Sequence, residues 1–215
     1  MKKLLAVLVP VLFVSFIVYG QTKEIYTNSN FRQLTKDHKV VAFLPFKAII
    51  KLRPKQLQSL APGELEKLQT DEGIAAQSAM ESYFLNRKGD LNLRISFQPL
   101  MTTNALLGRN NIDPQNIDKF TPQELCALLG VDAVMNGILS TEKPMSDGAA
   151  VALAIVVGFG GATNSGKCTI NTYDGKTGEL LWKYEKTLSR SLGSSTNQVI
   201  NTIMRKAARK FPYSL

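Results

Sequence analysis

The sequence predicts an α/β fold, in which a single mixed β-sheet is packed by helices. Apolar β-branched stretches alternate along the chain with longer stretches of helical periodicity. Near the C-terminal end, a turn-rich segment at 174–178 separates two β-rich arms within 168–188, which predicts a hairpin. A hydrophobic fraction of 44% supplies enough apolar side chains for a core. The predicted order of elements is β-α-β-α-β-β-β-α.

The first half of the chain supplies two strands and a long helix. Residues 39–46 form a short apolar run that Pro45 interrupts, and we interpret them as a strand buried on both faces. A helix is predicted over 64–88, with Gly89 as its stop. Residues 91–97 alternate apolar and polar side chains, so they predict a second strand with one covered face.

A capping box marks the beginning of the next helix. Thr121 stands at the N-cap, Pro122 at the first helical position and Glu124 three residues after the cap. Gly130 ends this helix, and a third strand is predicted over 131–140. The helix is therefore short and leads directly into a strand.

The last third of the chain predicts the remaining strands and a closing helix. The apolar run 149–162 is too short for a spanning helix, and we interpret it as a buried strand, with a membrane-inserting hairpin arm as the alternative. In the second arm of the hairpin, Leu180, Trp182 and Tyr184 share one face at period two. Residues 194–210 predict an amphipathic helix.

The amino terminus has the pattern of a secretory signal peptide. Lys2 and Lys3 precede the uncharged stretch 4–19, and the small Gly20 stands before Gln21. No cysteine follows the apolar run, so a lipid anchor at that point is not expected. The chain is expected in the periplasm or cell envelope of a Gram-negative-type bacterium. The predicted divisions are a signal peptide at 1–20, a polar lead-in at 21–38 and one α/β domain at 39–215.

The net charge does not by itself define a partner. The formal charge is +9, and removal of the two lysines of the leader lowers it by two, to +7. The charges are scattered along the chain, which favours simple solubility over a nucleic-acid site. Attraction of the last helix to anionic lipid or cell-wall polymer is the alternative interpretation.

The cysteines and the only histidine give no catalytic or metal site. Cys126 and Cys168 permit one disulfide in an exported protein, but buried free thiols also fit their apolar surroundings. Two cysteines and one histidine cannot complete a structural zinc site. His38 has no partner that the sequence identifies, so it is expected at the surface or in the lead-in.

A stretch at 161–168 nearly matches a phosphate-binding loop. In such a loop a Ser or Thr hydroxyl follows the lysine and binds magnesium, and a helix comes next. Here Cys168 takes the hydroxyl position, and the following residues predict a strand. We therefore predict no nucleotide or other cofactor, no metal and no catalytic residue.

Three motifs resemble one family of proteins. The run VVAFLPF, with Pro45, is similar to an opening strand of the form V-x-x-F/L-P-F. The run LGVDAVMNG at 129–137 follows the capped helix and is similar to L-G-V/A-D-x-V/L-x-x-G. The run DGKTGELLW at 174–182 is similar to a D-x-x-T-G-x-x-L/V-W hairpin. The motif residues are Pro45, Gly130, Asp132, Gly137, Asp174, Thr177, Gly178 and Trp182.

These motifs resemble a superfamily of bacterial envelope domains. It contains the curli-secretion lipoprotein, the lipoprotein activators of penicillin-binding proteins and the N-terminal domain of the Tol propeller protein. The resemblance implies fold-holding motif residues, an accessory or assembly role and partners in the envelope. The predicted function is a secreted, non-enzymatic adaptor that binds another envelope protein. The alternative is an oligomeric membrane-associated assembly or secretion-pore component that uses the run 149–162.

Overall fold

One mixed sheet organises the protein. The computed structural model describes residues 23–141, 165–189, 202–203, 205 and 211–214. Within these residues the sheet has seven strands in the order β1-β7-β6-β5-β2-β4, and β3 also pairs with β5. The strand predicted at 149–162 and most of the helix predicted at 194–210 lie outside the described residues.

The helices and strands follow one another closely along the chain. The strands are β1 (Lys23–Thr27), β2 (Val40–Phe43), β3 (Lys47–Ile50), β4 (Ser96–Phe97), β5 (Ala133–Thr141), β6 (Ser165–Asp174) and β7 (Leu180–Ser189). The helices are α1 (Phe31–Leu34), α2 (Pro54–Gln58), α3 (Glu64–Asn86), α4 (Lys88–Leu91), α5 (Leu100–Arg109) and α6 (Pro122–Leu129), with a 3₁₀ turn at Ile117–Lys119. No helix in the described ranges combines the length and apolar character needed to cross a membrane.

The sheet divides into a parallel and an antiparallel half. Strands β2 and β3 both run parallel to β5, and β4 runs parallel to β2. Strands β5, β6, β7 and β1 follow one another in antiparallel order. The predicted α/β class with a mixed sheet is therefore confirmed.

Hydrophobic clusters cover both faces of the central strand β2. Val41 and Phe43 belong to a cluster with α3, while Ala42 and Leu44 belong to a second cluster with α5 and α6. All four side chains are fully buried. This alternation is why the strand appears in the sequence as an uninterrupted apolar run, as predicted for a strand buried on both faces.

Two glycines make room for Phe46, which follows β2. A Cβ on Gly137 in β5 would lie 2.2 Å from the Phe46 ring, and a Cβ on Gly73 in α3 would lie 2.0 Å from the Phe46 carbonyl oxygen. The Phe46 amide also donates to the Gly73 carbonyl at 3.1 Å. Close packing of α3 against the sheet therefore depends on both positions.

The capped helix and the hairpin form as the sequence predicts. The hydroxyl of Thr121 accepts the Glu124 amide, and the Glu124 carboxylate accepts the Thr121 amide, while Gly130 takes a left-handed φ of 67°. In β7, Trp182 and Tyr184 are fully buried on one face. A register shift beside Thr172 places Leu181 among the buried side chains of this face and pairs Leu180 with Tyr173 on the other face. The prediction that Leu180 shares a face with Trp182 and Tyr184 is therefore wrong, because the bulge interrupts the period of two.

Two local expectations differ from the structure. The strand predicted at 91–97 is extended only at Ser96–Phe97, because the left-handed φ of 41° at Asn92 turns the chain as it leaves α4. Gly89 lies inside α4 instead of ending α3, which stops at Asn86.

The segments around β2 also carry more structure than the sequence predicts. The lead-in at 21–38 supplies edge strand β1 and helix α1, and Phe31 of α1 is buried in the core. The segment between the strand predicted at 39–46 and the helix predicted at 64–88, for which the sequence predicts no element, contains β3 and α2. These elements are only four or five residues long, so they contain too few residues to show a period.

Candidate functional site

Polar side chains gather where the parallel strands β2 and β5 begin. His38 and Asp132 lie just before these strands, and Asp174 lies at the end of β6, which is antiparallel to β5. Together with Thr177 and Tyr213 they form what we call the amino-end network. All of them except Tyr213 border an open cleft of about 720 Å³ between α1, α6 and the β6–β7 turn.

Asp132 fixes the start of β2 to the start of β5. Its Oδ2 atom accepts the amides of Lys39 at 2.7 Å and Val40 at 2.8 Å. Its own amide donates to the Val40 carbonyl at 2.9 Å, and its carbonyl accepts the Gly175 amide at 2.8 Å. One residue therefore joins two parallel strands and the hairpin turn, which is a structural use of its carboxylate.

Asp174 closes the turn between β6 and β7. Its Oδ2 atom accepts the Thr177 amide at 2.6 Å and the Thr177 hydroxyl at 2.7 Å. The Gly178 amide donates to the Asp174 carbonyl at 2.9 Å, and Gly178 adopts a φ of 76°. These bonds explain the D-x-x-T-G spacing as turn chemistry. From the neighbouring helix α6, Gln123 donates to the Thr177 carbonyl at 2.9 Å and holds the turn in place.

His38 connects the second oxygen of Asp174 to Tyr213. His38 Nε2 lies 2.9 Å from Asp174 Oδ1, and Nδ1 lies 2.7 Å from the Tyr213 hydroxyl. Because a carboxylate only accepts, Nε2–H donates to Asp174, and in the tautomer that this contact selects Nδ1 can accept from the tyrosine hydroxyl. The His38 side chain is only 7% exposed, so it does not lie at the surface, although it does belong to the lead-in at 21–38, the other position that the sequence predicts.

Arg94 holds the same region from the other side of Tyr213. Its guanidinium lies 5.1 Å from the centre of the Tyr213 ring and 5.9 Å from that of Phe31. It also donates to the Thr35 carbonyl at 2.7 Å and contacts the Thr35 hydroxyl. Burial raises the pKa of Tyr213 well above its usual range, although the Arg94 charge opposes that shift. The hydroxyl therefore remains a donor to His38.

Cys126 lies beside the amino-end network, but its surroundings disfavour the thiolate that a nucleophilic cysteine needs. Burial raises the pKa of its thiol to about 12, and the charges of Asp174 and Asp132 act in the same direction. A thiol nucleophile needs the opposite shift, toward the thiolate. No group of three metal-ligating side chains occurs in the part of the chain that the structure describes. The chemistry of the network is thus hydrogen bonding that fixes strands, turn and C-terminal residues to one another.

Three other motif residues line a second concave surface. Pro45, Gly137 and Gly178 line a groove of about 500 Å³ between β5 and the 3₁₀ turn. At its rim, the Lys47 ammonium forms an ion pair with Asp118 and lowers the pKa of that carboxyl. Trp182 belongs to neither place, since it is buried in the core against Phe211.

Next to this groove, the described residues leave one face of the antiparallel half uncovered. Helices α5 and α6 pack over β2 and the first residues of β5, and α6 also contacts β6, where Tyr173 packs against the same cluster. Further along, Ile138 of β5 is 40% exposed and Tyr26 of β1 is 46% exposed on the same face. The side chains between them are mostly polar and paired, as in the ion pair of Lys167 and Glu185 at 2.6 Å. We call this surface the open sheet face.

The sequence anticipated part of this arrangement. The motif residues Gly130, Asp132, Asp174 and Thr177 are brought together at the cleft. The contributions of His38, Arg94 and Tyr213 were missed, because their contacts span up to 175 residues of sequence and belong to no short motif. Cys126 and Cys168 are free thiols in clusters on opposite faces of the sheet, so the permitted disulfide is not formed.

Comparisons with known proteins identify similar structures but no sequence family. No protein-family model and no curated protein matches the chain. A PelC dodecamer from Paraburkholderia phytofirmans is 13% identical, covering 87% of this chain and 94% of that chain, with a TM-score of 0.38. The lipoprotein GNA1162 from Neisseria meningitidis is 11% identical, covering 82% and 99%, with a TM-score of 0.43.

A third solved structure is also similar to this chain. The C-terminal domain of LpoB from Salmonella enterica is 9% identical, covering 74% of this chain and 93% of that chain, with a TM-score of 0.33. PelC, the lipoprotein GNA1162 and the C-terminal domain of LpoB are thus among the solved structures that this chain is similar to. Likeness at this level of identity concerns the fold alone.

Proposed function

We propose that this protein is an exported, non-enzymatic accessory protein of the cell envelope that binds another envelope protein through its open sheet face. The proposal rests on the exposure of two large side chains, Ile138 and Tyr26, on the same face of the sheet. Exposed aliphatic and aromatic groups within a polar surround are typical of protein interfaces. The signal-peptide pattern at 1–20 supports export.

The use of polar groups at the cleft favours a binding role over catalysis. Asp174 uses both of its carboxylate oxygens, Oδ1 on His38 and Oδ2 on Thr177. Asp132 uses its Oδ2 atom on two backbone amides. A general base needs an oxygen or nitrogen free to reach a substrate proton. The network therefore supports a rigid scaffold, on which the open sheet face presents a fixed surface.

Photo-crosslinking in living cells tests this assignment. A photoreactive phenylalanine analogue is placed at Ile138 or at Tyr26, and adducts are identified by mass spectrometry. Both positions are expected to form an adduct with the same exported protein. The matched control is Met101, which is 84% exposed on helix α5 and lies off the open sheet face.

The outcome separates the proposal from its alternatives. Equal adducts from Met101, or none from either sheet position, would overturn the role of the open sheet face. Adducts between two copies of this chain would favour the oligomeric, membrane-associated assembly that uses the run 149–162. Light scattering with and without detergent then decides that case, because a membrane-inserted ring requires detergent to stay in solution.

A further inference from the structure

A basic stretch follows the central strand. From residue 38 to residue 63 the sequence has no acidic residue, while four basic residues fall between 47 and 55. Lys47 is neutralised by its ion pair with Asp118. Lys51, Arg53 and Lys55 are exposed and form no ion pair within the described ranges of the chain. Three uncompensated positive charges therefore lie within five residues.

The backbone that carries these charges is fixed to the domain. Lys51 directly follows β3, and its amide donates to the Thr141 carbonyl at 2.7 Å. Arg53 is the N-cap of α2, and its amide donates to the side chain of Gln56 at 2.9 Å. Gln56 is itself 7% exposed, so α2 is anchored by one buried residue. The charges are thus presented on a structured surface.

An apolar side chain accompanies the charges. Leu57, also in α2, is 47% exposed although leucine is usually buried. It lies two residues after Lys55 in the same short helix, and the two exposed side chains flank the buried Gln56. We call Lys51, Arg53, Lys55 and Leu57 the basic surface. Its Thr141 contact also places it at the end of β5 that leads into the apolar sequence 149–162.

We propose that the basic surface docks on anionic phospholipid headgroups at a membrane. Phosphate groups complement the three unpaired cations, and each lysine or arginine near such a surface contributes about 1 kcal/mol. The exposed leucine adds the apolar contact that peripheral membrane binding uses. The inference goes beyond the proposed function, because its residues lie outside the open sheet face and its partner is lipid.

Vesicle co-sedimentation of the exported full-length protein tests the docking. The probes are phosphatidylcholine vesicles with and without phosphatidylglycerol. Binding is expected only to the anionic vesicles and is expected to disappear as salt rises to about 0.5 M, where the Debye length shortens to a few ångströms. The triple variant Lys51→Glu, Arg53→Glu, Lys55→Glu is expected to lose at least about a hundredfold in partitioning.

A charge-matched control distinguishes this surface from net charge. The variant Arg109→Glu, Lys119→Glu, Lys176→Glu reverses three other exposed cations and changes the net charge equally. It is expected to keep most of the binding, and Leu57→Ser is expected to weaken binding without removing the salt dependence. Equal loss in the two triple variants, or no preference of the unmodified protein for anionic vesicles, would overturn the inference. Circular dichroism verifies that each variant is folded.

Discussion

The amino-end network and the hairpin core treat buried polar groups in opposite ways. In the network, the Tyr213 hydroxyl is fully buried and bonds to His38, which bonds in turn to Asp174. In the hairpin core, Tyr184 is equally buried, yet its hydroxyl has no partner in the described part of the protein. The Thr172 hydroxyl and the Trp182 indole N–H, on the same face, also lack one there.

Polar groups in the network fix the fold through hydrogen bonds, whereas those in the hairpin core are buried because the side chains that carry them pack in the apolar core. Thr172 pairs with Trp182 across the strands, and the Trp182 and Tyr184 rings stack with centroids 6.0 Å apart. The two rings stabilise the fold through packing and burial, while an unpaired buried hydroxyl lowers stability. Around Asp174, by contrast, the hydrogen bonds determine which loops meet. Substitutions at the two places should therefore differ in sign as well as size.

The largest expected effect is at Asp174. Asp174→Ala removes three side-chain hydrogen bonds and leaves His38 Nε2 and the amide and hydroxyl of Thr177 without an acceptor, so we expect a loss of about 3 kcal/mol in the free energy of unfolding. Urea denaturation measures the loss. The matched control is Asp113→Ala, which removes two hydrogen bonds from backbone amides in an exposed turn and should lower the free energy of unfolding by about 1 kcal/mol. Equal losses would contradict the central role of the network.

A pair of tyrosine substitutions compares the two places directly. Tyr213→Phe removes the donor to His38 Nδ1 and should lower the free energy of unfolding by about 1.5 kcal/mol. Tyr184→Phe removes a hydroxyl without a described partner and should leave stability unchanged or slightly higher. Both changes delete one oxygen from a fully buried ring, so burial cancels in the comparison. Similar losses in the two variants would remove the distinction.

Thr172→Val should give a smaller change of opposite sign. Valine keeps the shape of threonine and its preference for strands, and it removes a fully buried hydroxyl that lacks a partner. We expect a gain of about 0.5–1 kcal/mol, read from the urea midpoint at unchanged slope. A loss of stability would mean that the hydroxyl is satisfied in solution.

The two cysteines extend the comparison to pH. Burial alone raises the pKa of Cys168 to about 12, whereas Cys126, also at about 12, additionally feels the charges of Asp174 and Asp132. Since the pKa in the folded state exceeds the ordinary thiol value of 9.0, the protonated thiols stabilise the fold below pH 9, and that stabilisation is lost as pH rises from 9 toward 12. Stability measured at pH values across this window should fall accordingly.

Thiol labelling checks the same difference site by site. At about pH 8 neither thiol of the folded protein should react with Ellman's reagent, and both should react after denaturation. Asp174→Asn should increase the alkaline reactivity of Cys126 and leave that of Cys168 unchanged, because the charge of Asp174 raises the pKa of the Cys126 thiol only. Labelling of both cysteines to the same extent would contradict this assignment.

Short-range patterns account for what could be predicted. The capping box at Thr121, the helix end at Gly130 and the turn from Asp174 to Gly178 are all closed by hydrogen bonds between residues a few positions apart. Hence their residue types and spacing specify them. The strand β2 was predictable for a different reason, since burial on both faces requires an apolar residue at every position.

Elements that depend on distant neighbours were not predictable in the same way. Asn92 turns the chain out of an alternating apolar pattern, and the Leu181 bulge adds a buried residue that strict alternation excludes. Strand β1 is polar in sequence and becomes a strand because β7 offers it an edge. In each case the energy that decides the local conformation comes from another part of the chain.

The sequence alone determined the class of fold, the capped helix, the hairpin and the expectation of export, because each rests on local patterns of polarity and turn chemistry. Only the tertiary structure decided that His38 is buried between Asp174 and Tyr213, since that contact joins residues separated by 136 and 175 positions. It also decided which face of the sheet stays open. Among the described elements, helices α5 and α6 pack over β2 and the beginning of β5 and leave this face exposed, and the pattern of the strands alone does not specify where those helices pack.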